Sequence, residues 1–123
     1  MRRRLLGLAV VAASALAAVS FALAGSTSTR LKLTADKVKL AYNTKVLKAK
    51  AGKVTISMLN PSSIFKHNVA IKGNGVKTKG KVVGKGGTST VTATLKPGTY
   101  TFYCTVDGHE AAGMKGKLIV TKS

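Results

Sequence analysis

From residue 31 onward the chain alternates. Between Ser89 and Leu95 the apolar positions Val91, Ala93 and Leu95 recur at every second residue, with threonines between them. Between Thr99 and Val106 the residues Tyr100, Phe102, Cys104 and Val106 repeat the pattern. A period of two sends successive side chains to opposite faces of an extended strand. Lys53 to Leu59 (KVTISML) is β-branched and bounded by Gly52 and by Asn60-Pro61, which also reads as a strand. Lys45 to Lys50, Asn68 to Ile71 and Lys117 to Lys122 are further strand candidates, with Leu31 to Thr34 and Val38 to Tyr42 weaker ones. The glycine-rich stretch from Gly73 to Gly87 reads as loop with a short strand near Val82, and Pro97-Gly98 as a turn. No segment after residue 30 sustains a helical period. Seven or eight short strands in about 100 residues predict an all-β fold, a two-sheet Greek-key β-sandwich.

The first two dozen residues follow different rules. Arg2, Arg3 and Arg4 precede an apolar run from Leu5 to about Ala22, and Ala22-Leu23-Ala24 offers a small-x-small cleavage site before Gly25. That order is the signature of a secretory leader, so residues 1–24 are set apart from the fold. The alternative is an uncleaved anchor, since the run approaches the roughly 17 to 20 residues needed to span a bilayer. Both readings imply export, to the periplasm, the outer face of the cytoplasmic membrane or the extracellular space. Residues 25–30, rich in Gly, Ser and Thr, read as a short tether, and 31–123 as one domain.

The charge is lopsided, with 21 basic residues against three acidic ones and a net charge of +18. Without Arg2, Arg3 and Arg4 the balance is 18 against three, or +15. Apart from Arg30 these cations are lysines, scattered singly along the strands. Nucleic-acid recognition usually relies on arginine forks and interleaved aromatics, which are missing here, so no nucleic-acid partner is expected. The lysines instead suit acidic protein faces or an anionic membrane or envelope surface. Lys66, Lys115 and Lys117 are expected near the chemistry described next, and Lys45 and Lys48 away from it.

Cys104 is the one cysteine, so no internal disulfide can form; an exported thiol of this kind pairs intermolecularly, stays free or binds a metal. Its surroundings favour metal. The run Tyr103-Cys-Thr-Val-Asp-Gly-His-Glu-Ala-Ala-Gly-Met114 spaces Cys104, His109 and Met114 as C-x4-H-x4-M between two strands. The only other histidine, His67, lies between a loop and a strand. Two imidazoles, a thiolate and a weak thioether are the ligand set of a blue-copper site. Soft sulfur suits Cu(I) and nitrogen suits Cu(II), so one cage serves both states. This predicts one copper per chain and a mononuclear electron carrier rather than an enzyme: a catalytic second copper would need further histidines, and a binuclear centre a second cysteine. Copper storage or delivery by the same ligands is one alternative, and a basic surface-binding sandwich without redox chemistry is the other.

The stretches YCTVDGHEAAGMKGKLIV and FKHNVAI resemble the copper-binding loops of the cupredoxins, the type 1 blue-copper proteins of plastocyanin-like fold. In spacing they are closer to auracyanin, sulfocyanin and rusticyanin than to plastocyanin, whose Cys-to-His gap is two residues shorter. The resemblance runs from about Tyr42 to the end of the chain. It implies that His67 and His109 are the imidazole ligands, Cys104 the thiolate and Met114 the axial thioether. Asn68 matches the residue that ties the two ligand loops together, with Thr105 as its partner. His109, collared by Ala111, Ala112 and Gly113, would be the direct electron exit. Tyr103, facing outward beside Cys104, would be a second route. Redox protein partners and a monomeric state are expected.

Overall fold

The computed structural model describes residues 27–123. Eight strands are present among them: β1 (Ser28–Thr34), β2 (Val46–Lys50), β3 (Gly52–Leu59), β4 (Ala70–Gly73), β5 (Val76–Lys79), β6 (Thr88–Leu95), β7 (Gly98–Tyr103) and β8 (Lys115–Thr121). They form two sheets, one ordered β1-β3-β6 and the other β2-β8-β7-β4-β5. No helix occurs among the described residues. The fold is the two-sheet β-sandwich that the alternation predicts.

Burial follows the period of two. On β6, Ser89, Val91 and Leu95 point inward while Thr88, Thr90, Thr92 and Thr94 face solvent. On β3 the inward residues Val54, Ile56 and Met58 are fully buried, and they meet Ile71, Phe102 and Leu118 of the other sheet. Burying each such side chain contributes about 1.5–3 kcal/mol. The outward hydroxyls are paired across the strands, with Thr55 and Thr92 3.0 Å apart. Gly116 has a steric role: a Cβ there would lie 2.6 Å from the Lys45 carbonyl and run into the Phe102 ring. Its absence lets β8 close against β7, and these two strands flank the loop that carries Cys104, His109 and Met114.

Three expectations are corrected. Val38 to Tyr42 is not a strand. Asp36 Oδ1 accepts the backbone N–H groups of both Val38 and Lys39 at 2.8 Å and bends the chain, leaving only a bridge between Ala35 and Tyr42. The strand expected near Val82 lies instead at Val76–Lys79 as the second arm of a hairpin with β4. Asn74 (φ 47°) and Gly75 (φ 84°) make its turn, an Asn-Gly pair suited to positive φ at both positions. Val83 contributes only an isolated bridge, to His67. The segment read as a tether is partly strand, since Ser28, Thr29 and Arg30 pair with Lys53, Val54 and Thr55. The leader or anchor reading concerns residues 1–24, which lie outside the described residues.

Candidate metal centre

Both ligand arms are fixed by backbone bonds before any side chain is considered. His67 is held by a two-way bridge, donating its N–H to Val83 O at 3.1 Å and accepting from Val83 N–H at 2.8 Å. The second arm begins where β7 stops. Cys104 N–H donates to Met114 O (3.2 Å), Met114 N–H to His109 O (3.0 Å) and His109 N–H to Val106 O (3.0 Å). These bonds fold the eleven residues into a tight loop. The spacing C-x4-H-x4-M thus returns three side chains to one end of the sandwich.

At that end, His67 Nδ1 lies 3.2 Å from His109 Nδ1, and Cys104 Sγ lies 3.9 Å and 3.6 Å from them respectively. Donors held about 2.0 Å (nitrogen) and 2.3 Å (sulfur) from a late first-row metal, 110–120° apart, stand roughly 3.3–3.5 Å apart N to N and 3.5–3.7 Å apart N to S. The observed triangle fits a metal at its centre. Both rings turn Nδ1 inward, so two nitrogen lone pairs and a sulfur converge on one point. Met114, fully buried and bonded through its N–H to His109 O, would supply the thioether. Soft sulfur with two imidazoles is copper chemistry.

The electrostatics agree. Burial first, and then the charge of neighbouring His109, pushes His67 below the ordinary histidine range and keeps its ring neutral, the form that binds metal. Burial raises the Cys104 thiol, while the backbone N–H groups of Asn68 and Val106 point at the sulfur and pull it partly back. The remaining drive toward thiolate would come with metal binding, which displaces the thiol proton. His67 Nε2 is buried without a hydrogen-bond partner, which leaves this ring positioned by its backbone bridge and by packing. Phe65 is the packing element, 5.9 Å from the His67 ring and 5.7 Å edge-on to the His109 ring.

Asn68 and Thr105 lie between the two arms. Asn68 Nδ2 donates to Thr105 Oγ1 (2.9 Å) and to Gly80 O (3.0 Å), while Thr105 N–H donates to Asn68 Oδ1 (2.8 Å). Tyr42 adds a contact that the sequence reading missed: its hydroxyl donates to Asn68 O at 2.6 Å. Nothing in the local sequence signals that bond, which spans 26 residues. Tyr103 differs from expectation. It occupies the outward face, as alternation requires, but is only 7% exposed, because the Lys72 ammonium lies 4.3 Å from its ring centroid. The placing of Lys45 away from the site also fails. Lys45 lines one groove with Lys115, Lys117 and Gly113, because β2 runs parallel beside β8.

Three solved structures place this geometry among known proteins. A dithionite-reduced auracyanin from Roseiflexus castenholzii is 29% identical over 79% of this chain and 99% of its own, with a TM-score of 0.68. Auracyanin A from Chloroflexus aurantiacus, described as a "blue" copper protein, is 25% identical over 77% of this chain and all of its own, with a TM-score of 0.67. A copper nitrite reductase from Nitrosomonas europaea, at 21% identity and a TM-score of 0.62, shares the fold, and this chain covers 42% of it. Residues 29–121 match the family described as copper binding proteins, plastocyanin/azurin family. With His67, Cys104, His109 and Met114 forming a type 1 site for one copper, the chain belongs to the plastocyanin/azurin family of copper-binding proteins.

Proposed function

We propose that this protein is an exported electron carrier, taking up and releasing one electron at a time. The observation that carries the proposal is the closure of the metal centre. His67 and Met114 are fully buried, Cys104 is 1% exposed, and His109 alone reaches the surface, at 8%. A substrate needs an open coordination position, and a copper store needs exchangeable ligands; an electron needs only an edge. When bound, copper supplies a Cu(I)/Cu(II) couple, and the chain's own contribution is rigidity. The backbone bonds of both arms, the Asn68–Thr105 pair and the Phe65 packing hold the donors in one arrangement, so that little has to move between the two states.

The exposed edge of His109 is the exit in this proposal, bordered by exposed Ala111 and Ala112 and by half-buried Gly113. Asn68 and Thr105 hold the two arms together. Tyr103 is a second route of lower access, since Lys72 covers its ring. The chain's two histidines are both spent on this centre, which supports a carrier over a catalyst with a further copper. The lysines favour redox partners with acidic docking faces, or an anionic membrane surface, and the carrier works as a monomer. Export rests on the leader-like order of residues 1–24. Voltammetry of the copper-loaded protein tests the reading: a reversible one-electron wave and fast exchange with a soluble redox protein are expected. Copper that passes readily to a chelator, with no reversible wave, would favour storage instead.

A further inference from the structure

One ammonium group on the outside of the five-stranded sheet reaches the neighbours of two copper ligands. Lys72 projects outward from β4, opposite Thr101 of β7 and Lys77 of β5. Its Nζ lies 2.6 Å from Glu110 Oε2 and 4.3 Å from the centre of the Tyr103 ring. Glu110 directly follows the ligand His109, and Tyr103 directly precedes the ligand Cys104. The pair is the only salt bridge among the described residues, in a protein with three acidic side chains.

Sheet stability alone does not call for a lysine at this position. Lys72 stands directly across from Lys77, and like charges opposed on neighbouring strands are unfavourable. What compensates is the Glu110 carboxylate and the face of the Tyr103 ring, both supplied by the segment that carries the copper ligands. The outer part of that segment, residues 107–113, is made of turns. Its backbone bonds are local, as in Ala112 N–H to Gly108 O (3.1 Å) and Gly113 N–H to Glu110 O (2.9 Å). Such bonds shape the loop without attaching it to the sandwich. Glu110 is the residue whose side chain makes that attachment on the sheet side.

We propose that Lys72 is a positioning residue of the copper centre: by clamping Glu110 against the outer face of the sheet over Tyr103, its ammonium fixes the loop that presents His109. Lys72 touches no ligand and acts through the residues on either side of two of them. The Lys72→Met variant keeps the aliphatic stem and removes the charge, and Lys72→Arg keeps the charge and the reach. Glu110→Gln removes the charge at the other end.

The test uses the full chain with two readouts, amide hydrogen exchange of the metal-free protein and the EPR spectrum of its Cu(II) form. In Lys72→Met, the Ala112 and Gly113 amides are expected to exchange about fivefold faster, the loss appropriate to one half-exposed ion pair and one cation–π contact. The core amides of β3 and β8, which exchange on global unfolding, accelerate by no more than that factor. The EPR signal broadens as His109 samples more than one orientation, and Lys72→Arg restores both readouts. Glu110→Gln gives the ion-pair part of the Lys72→Met effect, and the double variant adds nothing to Lys72→Met, as for two halves of one contact. The proposal is overturned if the loop amides and the EPR signal of Lys72→Met match those of the parent. It is equally overturned if the core amides accelerate more than the loop amides, or if the two substitutions add independently.

Discussion

Replacing Asn68 by alanine removes the side chain that joins the two ligand arms. The Asn68 side chain is fully buried and takes part in three hydrogen bonds, two as donor and one as acceptor. At about 1 kcal/mol for each, the direct loss is roughly 3 kcal/mol, and the Gly80 carbonyl and Thr105 N–H, left without these partners, push it upward. For a domain of this size 1 kcal/mol moves the melting temperature by about 4–8 °C, so Asn68→Ala should melt about 12–24 °C lower in the metal-free state. Asn68→Asp separates donor from acceptor. It can still accept from Thr105 N–H, but it loses both amide donors and buries a group whose charge is costly, so it should not recover the parent's stability. The assay is thermal unfolding of the metal-free chain, paired with the rate at which a strong chelator removes copper. Both should change, because the broken bonds lie between His67 and Cys104. A stability loss below about 1 kcal/mol, or a large loss with unchanged copper retention, would refute the argument that this pair fixes the spacing of the ligands.

Cys104→Ser should abolish the blue colour, since a hydroxyl is a hard donor and does not ionise readily at neutral pH; Met114→Leu should keep copper and colour and raise the reduction potential, because losing axial donation disfavours Cu(II). A lowered potential, measured by voltammetry, would contradict the axial role. Tyr42→Phe should cost about 1–3 kcal/mol by leaving the Asn68 carbonyl without its donor. Burial raises the Tyr42 phenol above its ordinary range, so the unfolded chain ionises first as pH climbs past about 10, and the parent loses stability there. The gap between parent and Tyr42→Phe in denaturant melts should therefore narrow above that pH, and a widening gap would reverse the sign. Association with an acidic redox protein should slow steeply with ionic strength, over a screening length of about 10 Å at 0.1 M. Charge reversal at Lys115 and Lys117 should slow it more than reversal at Lys32 and Lys53 on the other sheet, and stopped-flow rates that fall equally would mean that net charge alone steers.

Much of this molecule is legible without coordinates because strand patterns and ligand spacing are local. The threonine alternation of Ser89 to Leu95 marks β6, and C-x4-H-x4-M lies within one loop, so its register follows from the chain itself. One misreading arises where short-range side-chain bonds compete with apolar alternation. Val38, Leu40 and Tyr42 alternate like a strand, yet Asp36 captures two N–H groups and turns the chain, leaving Val38 60% exposed. The β4–β5 hairpin did have a signal, Asn74-Gly75, that outranks the valines at 82 and 83. Tyr103 shows a different limit. Alternation gives its face correctly, but the cover comes from Lys72, 31 positions away in the numbering of the chain. The same holds for Lys45, brought beside Lys117 by a parallel pairing of β2 with the last strand, and for Tyr42, whose partner is Asn68. Contacts between distant segments decide these, and no local pattern encodes them.

In the proposed function, four residues hold one copper in a closed centre that passes one electron at a time. Titrating the purified metal-free chain with Cu(II) while recording visible absorption and EPR, followed by voltammetry of the product, tests it most directly. Saturation at one copper per chain, an intense thiolate-to-copper charge-transfer band, a compressed EPR hyperfine splitting and a reversible one-electron wave are expected. A colourless adduct with an ordinary tetragonal EPR signal, or a wave that fails to reverse, would contradict it.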